Sequence, residues 1–230
     1  MSIASPPDLM RLHVEALFTQ DPSGSLLQVN EPGGAPAPRF FLGITSNGSV
    51  RCYRHDVDDD IRRSLDMESR RDFALAVPVR SERYEHILSR AAPVRRTWTG
   101  PAFNFPETLT DCPDAVPIDS SNSVLLRDFF GGWIEDVDTC RPMFAVIVDG
   151  RAVALCASVR RTTAAHEAGV ETAAPYRGAG FGGRAVSAWA SSVRAMARVP
   201  LYSTSWNNDA SRAVARKLGL IQFGNDLHIT

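Results

Sequence analysis

A chain of 230 residues is long enough for one large domain or two small ones, and 44% hydrophobic with 22% charged residues is an ordinary globular balance. Its 25 basic and 26 acidic residues leave a net charge of -1, so no global field draws it to nucleic acid or to an anionic membrane. Cysteines 52, 112, 140 and 156 are scattered without a CxxC pair, histidines never cluster at ligand spacing, and no leader or membrane-length apolar run occurs, which speaks for a cytoplasmic chain without disulfides or a metal.

A short helix is expected around residues 9–19, followed by a strand and a Pro- and Gly-rich loop. Residues 40–44 and 50–54 flank "TSNGS", an Asn-Gly turn signal, and predict a β-hairpin. "IRRSLDMESRR" follows Asp58, Asp59 and Asp60, with acids at its start and bases at its end, as a helix dipole favours. "SERYEHILSRAA" reads as a second short helix. Residues 98–121 are dense in Pro, Gly, Ser and Thr and read as a long connection. A boundary near Asp119 then separates an N-terminal α/β region, 1–118, from a second region, 119–230.

The second region is more regular. Residues 123–133 form an amphipathic helical pattern, with Leu125, Leu126, Phe129, Phe130 and Trp133 on one side. "MFAVIV" and "RAVALCASVR" are apolar strands joined at Asp149-Gly150, and "AHEAGVETA" is a third strand. A glycine-rich stretch leads into a helix over about 183–198, then a strand "PLYSTS", a helix over 209–218 stopped by Gly219, and a last strand "IQFGNDLHIT". Three meandering strands followed by βαβ crossings predict a mixed α/β sheet with helices on both sides.

Gly178, Gly180 and Gly183 match the G-x-G-x-x-G dinucleotide pattern. Only 47 residues follow Gly183, too few for the remaining units of a doubly wound fold, and no acid closes the next strand. A turn that merely packs a helix on a strand does not account for Arg177 just ahead of the glycines. Bare backbone feeding a helix N-terminus is suited to an anion such as a pyrophosphate.

"GVETAAPYRGAGFGGRAV" followed by "LYSTSWNNDASRAVARKLGL" resembles the acetyl-coenzyme A site of the GNAT superfamily of acetyltransferases, over about residues 123–230. The resemblance implies a GNAT-like fold with splayed central strands, preceded by an extra N-terminal α/β region that covers the acceptor site. It implies acetyl-CoA as co-substrate, no metal, and transfer of the acetyl group to a primary amine, a small molecule rather than nucleic acid or membrane; a homodimer is compatible with it. The pantetheine arm would pair with Thr172, Ala173 and Ala174, and the pyrophosphate would meet the N–H groups of Arg177, Gly178, Ala179, Gly180, Phe181 and Gly182. Asn208 and Ser211 would touch the arm from its second side.

His166, on the strand face shared with 168, 170 and 172, is the first candidate base, since an imidazole titrates near neutrality. Glu171 is the second, provided a bulge turns it inward, and Glu167 the third. Ala215 stands where family members often carry a Tyr that protonates the departing thiolate, leaving Tyr202, Ser205 or His228 as substitutes. The missing Tyr also fits a second reading, a non-catalytic sensor that binds an acyl-CoA. Trp189, Phe181, Trp206 and Phe223 are expected in the core.

Overall fold

The computed structural model describes residues 4–70, 77–109 and 112–230. The chain folds as two compact units. One takes the chain as far as Phe103, together with Ser203–Asp209 and Gln222–Thr230; the other takes Asn104–Tyr202 and Ala210–Ile221. No helix among the described residues is long and apolar enough to cross a membrane.

The first unit opens with α1 (Pro6–Leu17), whose N-cap Ser5 accepts the N–H of Asp8 at 3.4 Å and whose first turn carries proline, a residue with no N–H to leave unsatisfied. A small antiparallel ribbon, β1 (Phe18–Gln20) and β2 (Leu26–Val29), follows. The expected hairpin forms as β3 (Phe40–Thr45) and β4 (Gly48–Tyr53). Next come α2 (Asp59–Ser69), α3 (Glu82–Ser89) and β5 (Thr97–Asn104), and the chain's last strand, β11 (Ile221–Ile229), returns to this unit. The strand order is β4-β3-β11-β5, with Gly224 opposite Thr45 and Ile229 opposite Phe40.

Phe40, Leu42, Ile44, Tyr84, Leu88 and Leu227 fill the core of this unit. On the α1 side, the Met10 side chain occupies the space that a Cβ on Gly43 or Gly224 would take. Beside it, His13 Nε2 lies 2.8 Å and His228 Nε2 3.1 Å from the same oxygen of Asp226. Burial pushes the Asp226 carboxyl up, but the field of His228 and hydrogen bonds from both histidines outweigh it and hold the group below the usual carboxylate range.

β5 corrects the expectation of a connection over 98–121. Pro101 has no N–H to give, yet its carbonyl accepts the N–H of Thr204 at 3.3 Å, and Gly100 lies so close to the Thr204 backbone that no Cβ would fit. The strand uses these residues because another backbone approaches there, a reason composition does not reveal.

The second unit contains β6 (Ala115–Pro117), β7 (Met143–Val148), β8 (Arg151–Arg161), β9 (Ala165–Thr172), α5 (Phe181–Ala195), β10 (Val199–Ser203) and most of α6 (Asp209–Lys217). The order is β10-β9-β8-β7-β6; β9 and β10 run parallel and the other pairs antiparallel. The β7–β8 turn is the expected Asp149-Gly150 pair, both at positive φ (50° and 75°). The helix expected over 123–133 is broken instead into a 3-10 turn (Ser123–Leu126), one α turn, α4 (Arg127–Phe130), and a second 3-10 turn (Gly131–Trp133). Gly131 and Gly132 weaken it, but its apolar side is placed as expected: Leu126 and Phe130 join Leu155, Ala157 and Met143 in a core on one sheet face. α5 covers β7, β8 and β9. The architecture is thus mixed α/β, as the element order predicts.

Candidate functional site

Parallel strands β9 and β10 pair over three positions, from Val199 opposite Ala165 to Leu201 opposite Glu167. β9 then continues to Thr172 and β10 to Ser203 without a shared register, so the two strands part at that point. On its other edge β9 stays paired to β8 without a break from Gly169 to Thr172, and the N–H of Ala173 donates to Val153 O at 3.0 Å. Consecutive residues of a strand point their backbone groups to opposite edges. Ala173 and Glu171 therefore face β8, and Val170 and Thr172 turn their N–H and C=O groups to the open edge.

That alternation changes the expected set. Thr172 and Val170 have their backbone groups on the open edge, with the Thr172 carbonyl accepting the Arg177 side chain, whereas the Ala173 N–H is committed to Val153 O and its side chain is buried. Ala174 lies in a 3-10 turn, Ala174–Tyr176, and its carbonyl accepts the N–H of Arg177 at 3.4 Å. The Arg177 amide is thus occupied, while its side-chain Nε donates to Thr172 O at 3.2 Å and ties the loop to the strand end.

The loop beyond Arg177 is built for exposed amides. Gly178 (φ 82°) and Gly180 (φ 86°) take the left-handed conformation that other residues enter at a cost, and Gly180 caps α5 without a side chain. Arg184 N–H is the first in the helix to find a partner, Gly180 O at 3.2 Å. Among the described residues none accepts a bond from the N–H groups of 178–183. Gly178, Ala179, Gly180, Phe181 and Gly182, the residues expected to meet a pyrophosphate, fall in this set together with Gly183. The positive end of a 15-residue helix adds to the field of these amides. A Cβ on Gly182 would lie 2.7 Å from Thr172 Oγ1, so the glycine lets the helix start rest directly on the strand.

Beyond the parting of the strands, Tyr202 is buried on β10 and its hydroxyl lies 2.6 Å from Ser211 Oγ on α6. Burial pushes this phenol well above its usual range, which makes it a poor proton donor. Ala215, where a Tyr is expected from the resemblance, is buried. Ser205 Oγ accepts the N–H of Asn207 at 3.2 Å, and the exposed Asn208 gives its N–H to Ser205 O at 3.0 Å. His228 belongs to the first unit, bound to Asp226 and stacked on Trp98 with ring centroids 4.6 Å apart. Trp189 and Phe223 are core residues, as expected, whereas Phe181 and Trp206 are half-buried.

His166 lies in the paired part of β9, below the parting, and is 1% exposed. Its Nδ1 is 2.8 Å from Ser158 Oγ and its Nε2 is 2.9 Å from Arg198 Nη1. Guanidinium only donates, so Nε2 accepts and Nδ1 carries the proton. Burial first, then the fields of Arg198 and Arg161, draw its pKa down to about 4. The imidazole is neutral near pH 7 and its lone pair is taken, which departs from the free base expected there. Glu171 is exposed near the open end of β9. The irregularity in this strand pair lies on β8 between Ser158 and Arg160, so no bulge turns Glu171 inward; it stays on the face opposite Thr172 and α5. Glu167 is buried at the last paired position.

No family model matches the chain, and no curated protein matches it. Solved structures do. A GNAT-family acetyltransferase from Colwellia psychrerythraea aligns over 99% of this chain and 97% of its own, with a TM-score of 0.52 and 11% identity. A conserved protein of unknown function from Staphylococcus epidermidis aligns over the same shares with a TM-score of 0.53 and 12% identity. A candidate GNAT-family acetyltransferase from Novosphingobium aromaticivorans aligns over 59% of this chain with a TM-score of 0.50 and 18% identity; the chain spans 65% of that protein's length. The open β9 edge and the glycine loop therefore sit in a chain whose fold is that of the GNAT acetyltransferases.

Proposed function

We propose that the chain is an N-acetyltransferase that takes acetyl-CoA as acyl donor and a small primary amine as acceptor. The observation that carries this reading is the run of amides over 178–183 that have no acceptor among the described residues, next to a strand edge left open by the parting of β9 and β10. The amides suit the two phosphates of the donor, and Val170 and Thr172 suit the amide groups of its arm. A neutral amine attacks the thioester carbon, a tetrahedral oxyanion forms, the carbon–sulfur bond breaks, and the coenzyme thiolate leaves. A proton passes from the attacking nitrogen to a base. Glu171 is the group we assign to it, because its carboxylate is exposed next to Thr172 while the His166 lone pair is occupied. Holding the two substrates together contributes about 7 kcal/mol or more.

A non-catalytic acyl-CoA sensor is the second reading, favoured by the apolar Ala215 and the occupied His166. Calorimetry with CoA and a thiol-release assay over a panel of small amines separate the two. Binding with turnover supports the transferase and binding without turnover the sensor. Absence of binding removes both.

A further inference from the structure

Arg184 is the fourth residue of α5, the helix whose opening amides find no acceptor among the described residues. Side chains on a helix lean toward its N-terminus, and this one does so. Its guanidinium carbon lies 4.4 Å from the ring centroid of Phe181, one turn earlier. The Phe181 ring meets Tyr176 edge-on, with centroids 6.0 Å apart. A cation is thus held beside the amides of the glycine loop, within one unit of the chain.

That placement runs against the field of the helix. Anions are favoured at a helix N-terminus and cations at its C-terminus, yet the first turn of α5 holds no acidic residue. The carboxylate that Arg184 meets comes from 70 residues earlier in the chain: Nη1 donates to Oδ2 of Asp114, the residue just ahead of β6. The two side chains are 39% and 42% exposed, so water screens the pair and it contributes little to stability. A guanidinium at the positive end of a helix, held by one weak carboxylate contact, is suited to a stronger anion. Coenzyme A carries one beyond its diphosphate. The 3′-phosphate of its ribose has roughly −1.5 to −2 charge at pH 7, and its oxygens match the planar fork of arginine.

We propose that Arg184 is a specificity-determining residue for the donor: its guanidinium exchanges the Asp114 carboxylate for the ribose 3′-phosphate of the coenzyme. Asp114 is then a competitor built into the chain. This rests on the coenzyme reading given above and leaves the amides of 178–183 to the diphosphate. The donor so selected is a free coenzyme A thioester, because an acyl group carried on a protein-bound phosphopantetheine has no 3′-phosphate to offer.

The test is calorimetry with CoA and with 3′-dephospho-CoA on the unaltered protein, Arg184→Met, Asp114→Asn and the double variant Asp114→Asn/Arg184→Met. The unaltered protein is expected to bind CoA about ten-fold more tightly than dephospho-CoA, the order of a hydrogen bond between charged groups. Arg184→Met, which keeps an apolar contact with the Phe181 ring, should lose that preference. Asp114→Asn should tighten CoA about three-fold, the order of an exposed ion pair, and the double variant should bind CoA as Arg184→Met does. A carboxylate acting only through its general field would instead tighten CoA equally with and without Arg184, and that result overturns the proposal. Equal affinity of the unaltered protein for CoA and dephospho-CoA also overturns it while the coenzyme reading stands, as does a preference that survives Arg184→Met. No heat with CoA on the unaltered protein overturns the coenzyme reading and this proposal together.

Discussion

Arg198 Nη1 and His166 Nε2 lie 2.9 Å apart, and because arginine cannot accept, the contact fixes both the tautomer and the charge of the histidine. Its pKa falls to about 4, chiefly through burial. The unfolded chain binds a proton on this imidazole below about 6.5, so between 6.5 and 4 the unfolded state holds more protons than the folded one. Stability therefore falls as pH is lowered through that window and is unaffected above it. Thermal melts from pH 7.5 to 4.5 should show a steeper decline for the unaltered protein than for His166→Gln. Parallel curves would show that the buried imidazole does not report the difference.

The same contact bears on catalysis. If Glu171 takes the amine's proton, Glu171→Gln should lower kcat by about 100-fold, in the range of a lost general base. His166→Gln should leave the position of the pH–rate inflection where it is. The measurement is kcat/KM against pH for both variants. A reversed ranking, with the inflection lost in His166→Gln, would return the base role to the histidine.

Gly178, Gly180 and Gly183 stand within six residues of one another but are not equivalent. The first two have φ of 82° and 86°, where a side chain costs roughly 1–2 kcal/mol per residue. A Cβ on Gly183 would meet Leu218 Cδ2 at 3.6 Å, an ordinary contact. Gly180→Ala should reorient the loop amides and weaken CoA binding at least ten-fold, a loss of about 1.4 kcal/mol. Gly183→Ala should bind as the unaltered protein does. Calorimetry decides, and equal affinity in both variants would remove the loop from the site.

These contrasts mark what the sequence could convey. The hairpins at Asn47-Gly48 and Asp149-Gly150 were legible because each turn holds a glycine at positive φ, Gly48 and Gly150, which few other residues tolerate. The glycine loop was legible for the same reason. β5 was hidden because Gly100 and Pro101 are selected there by a neighbouring backbone, which local propensity does not register. His166 looked like a free base since alternation places it on a face but cannot show Arg198, 32 residues later, closing its lone pair. Likewise, Ala173 matched the family pattern in type, while the direction of its N–H followed from register with β8. The Tyr202–Ser211 pair carries no motif at all; only the strand-to-helix packing reveals it.

Arg39 offers a last test, of stability rather than function. It is 7% exposed, and its guanidinium donates to Leu88 O at 3.2 Å, Ala92 O at 3.0 Å and Pro93 O at 3.1 Å. The Leu88 carbonyl belongs to the last turn of α3 and also accepts the N–H groups of Ala91 at 3.2 Å and Ala92 at 3.3 Å, so the guanidinium adds to the bonds that close this helix end. Burial lowers the pKa of this guanidinium from its ordinary value, but arginine remains charged, so three charge-assisted bonds hold the helix end. Arg39→Met keeps the apolar stem and removes every donor, and should destabilise the protein by about 3 kcal/mol, since the three hydrogen bonds of a charged donor are lost. Arg39→Lys keeps the charge but has a compact ammonium that cannot match the spread of the planar fork, so it should recover less than half of that loss. Urea midpoints measure both. A lysine variant as stable as the unaltered protein would mean that charge near the helix end, and not the geometry of the fork, holds this end of α3.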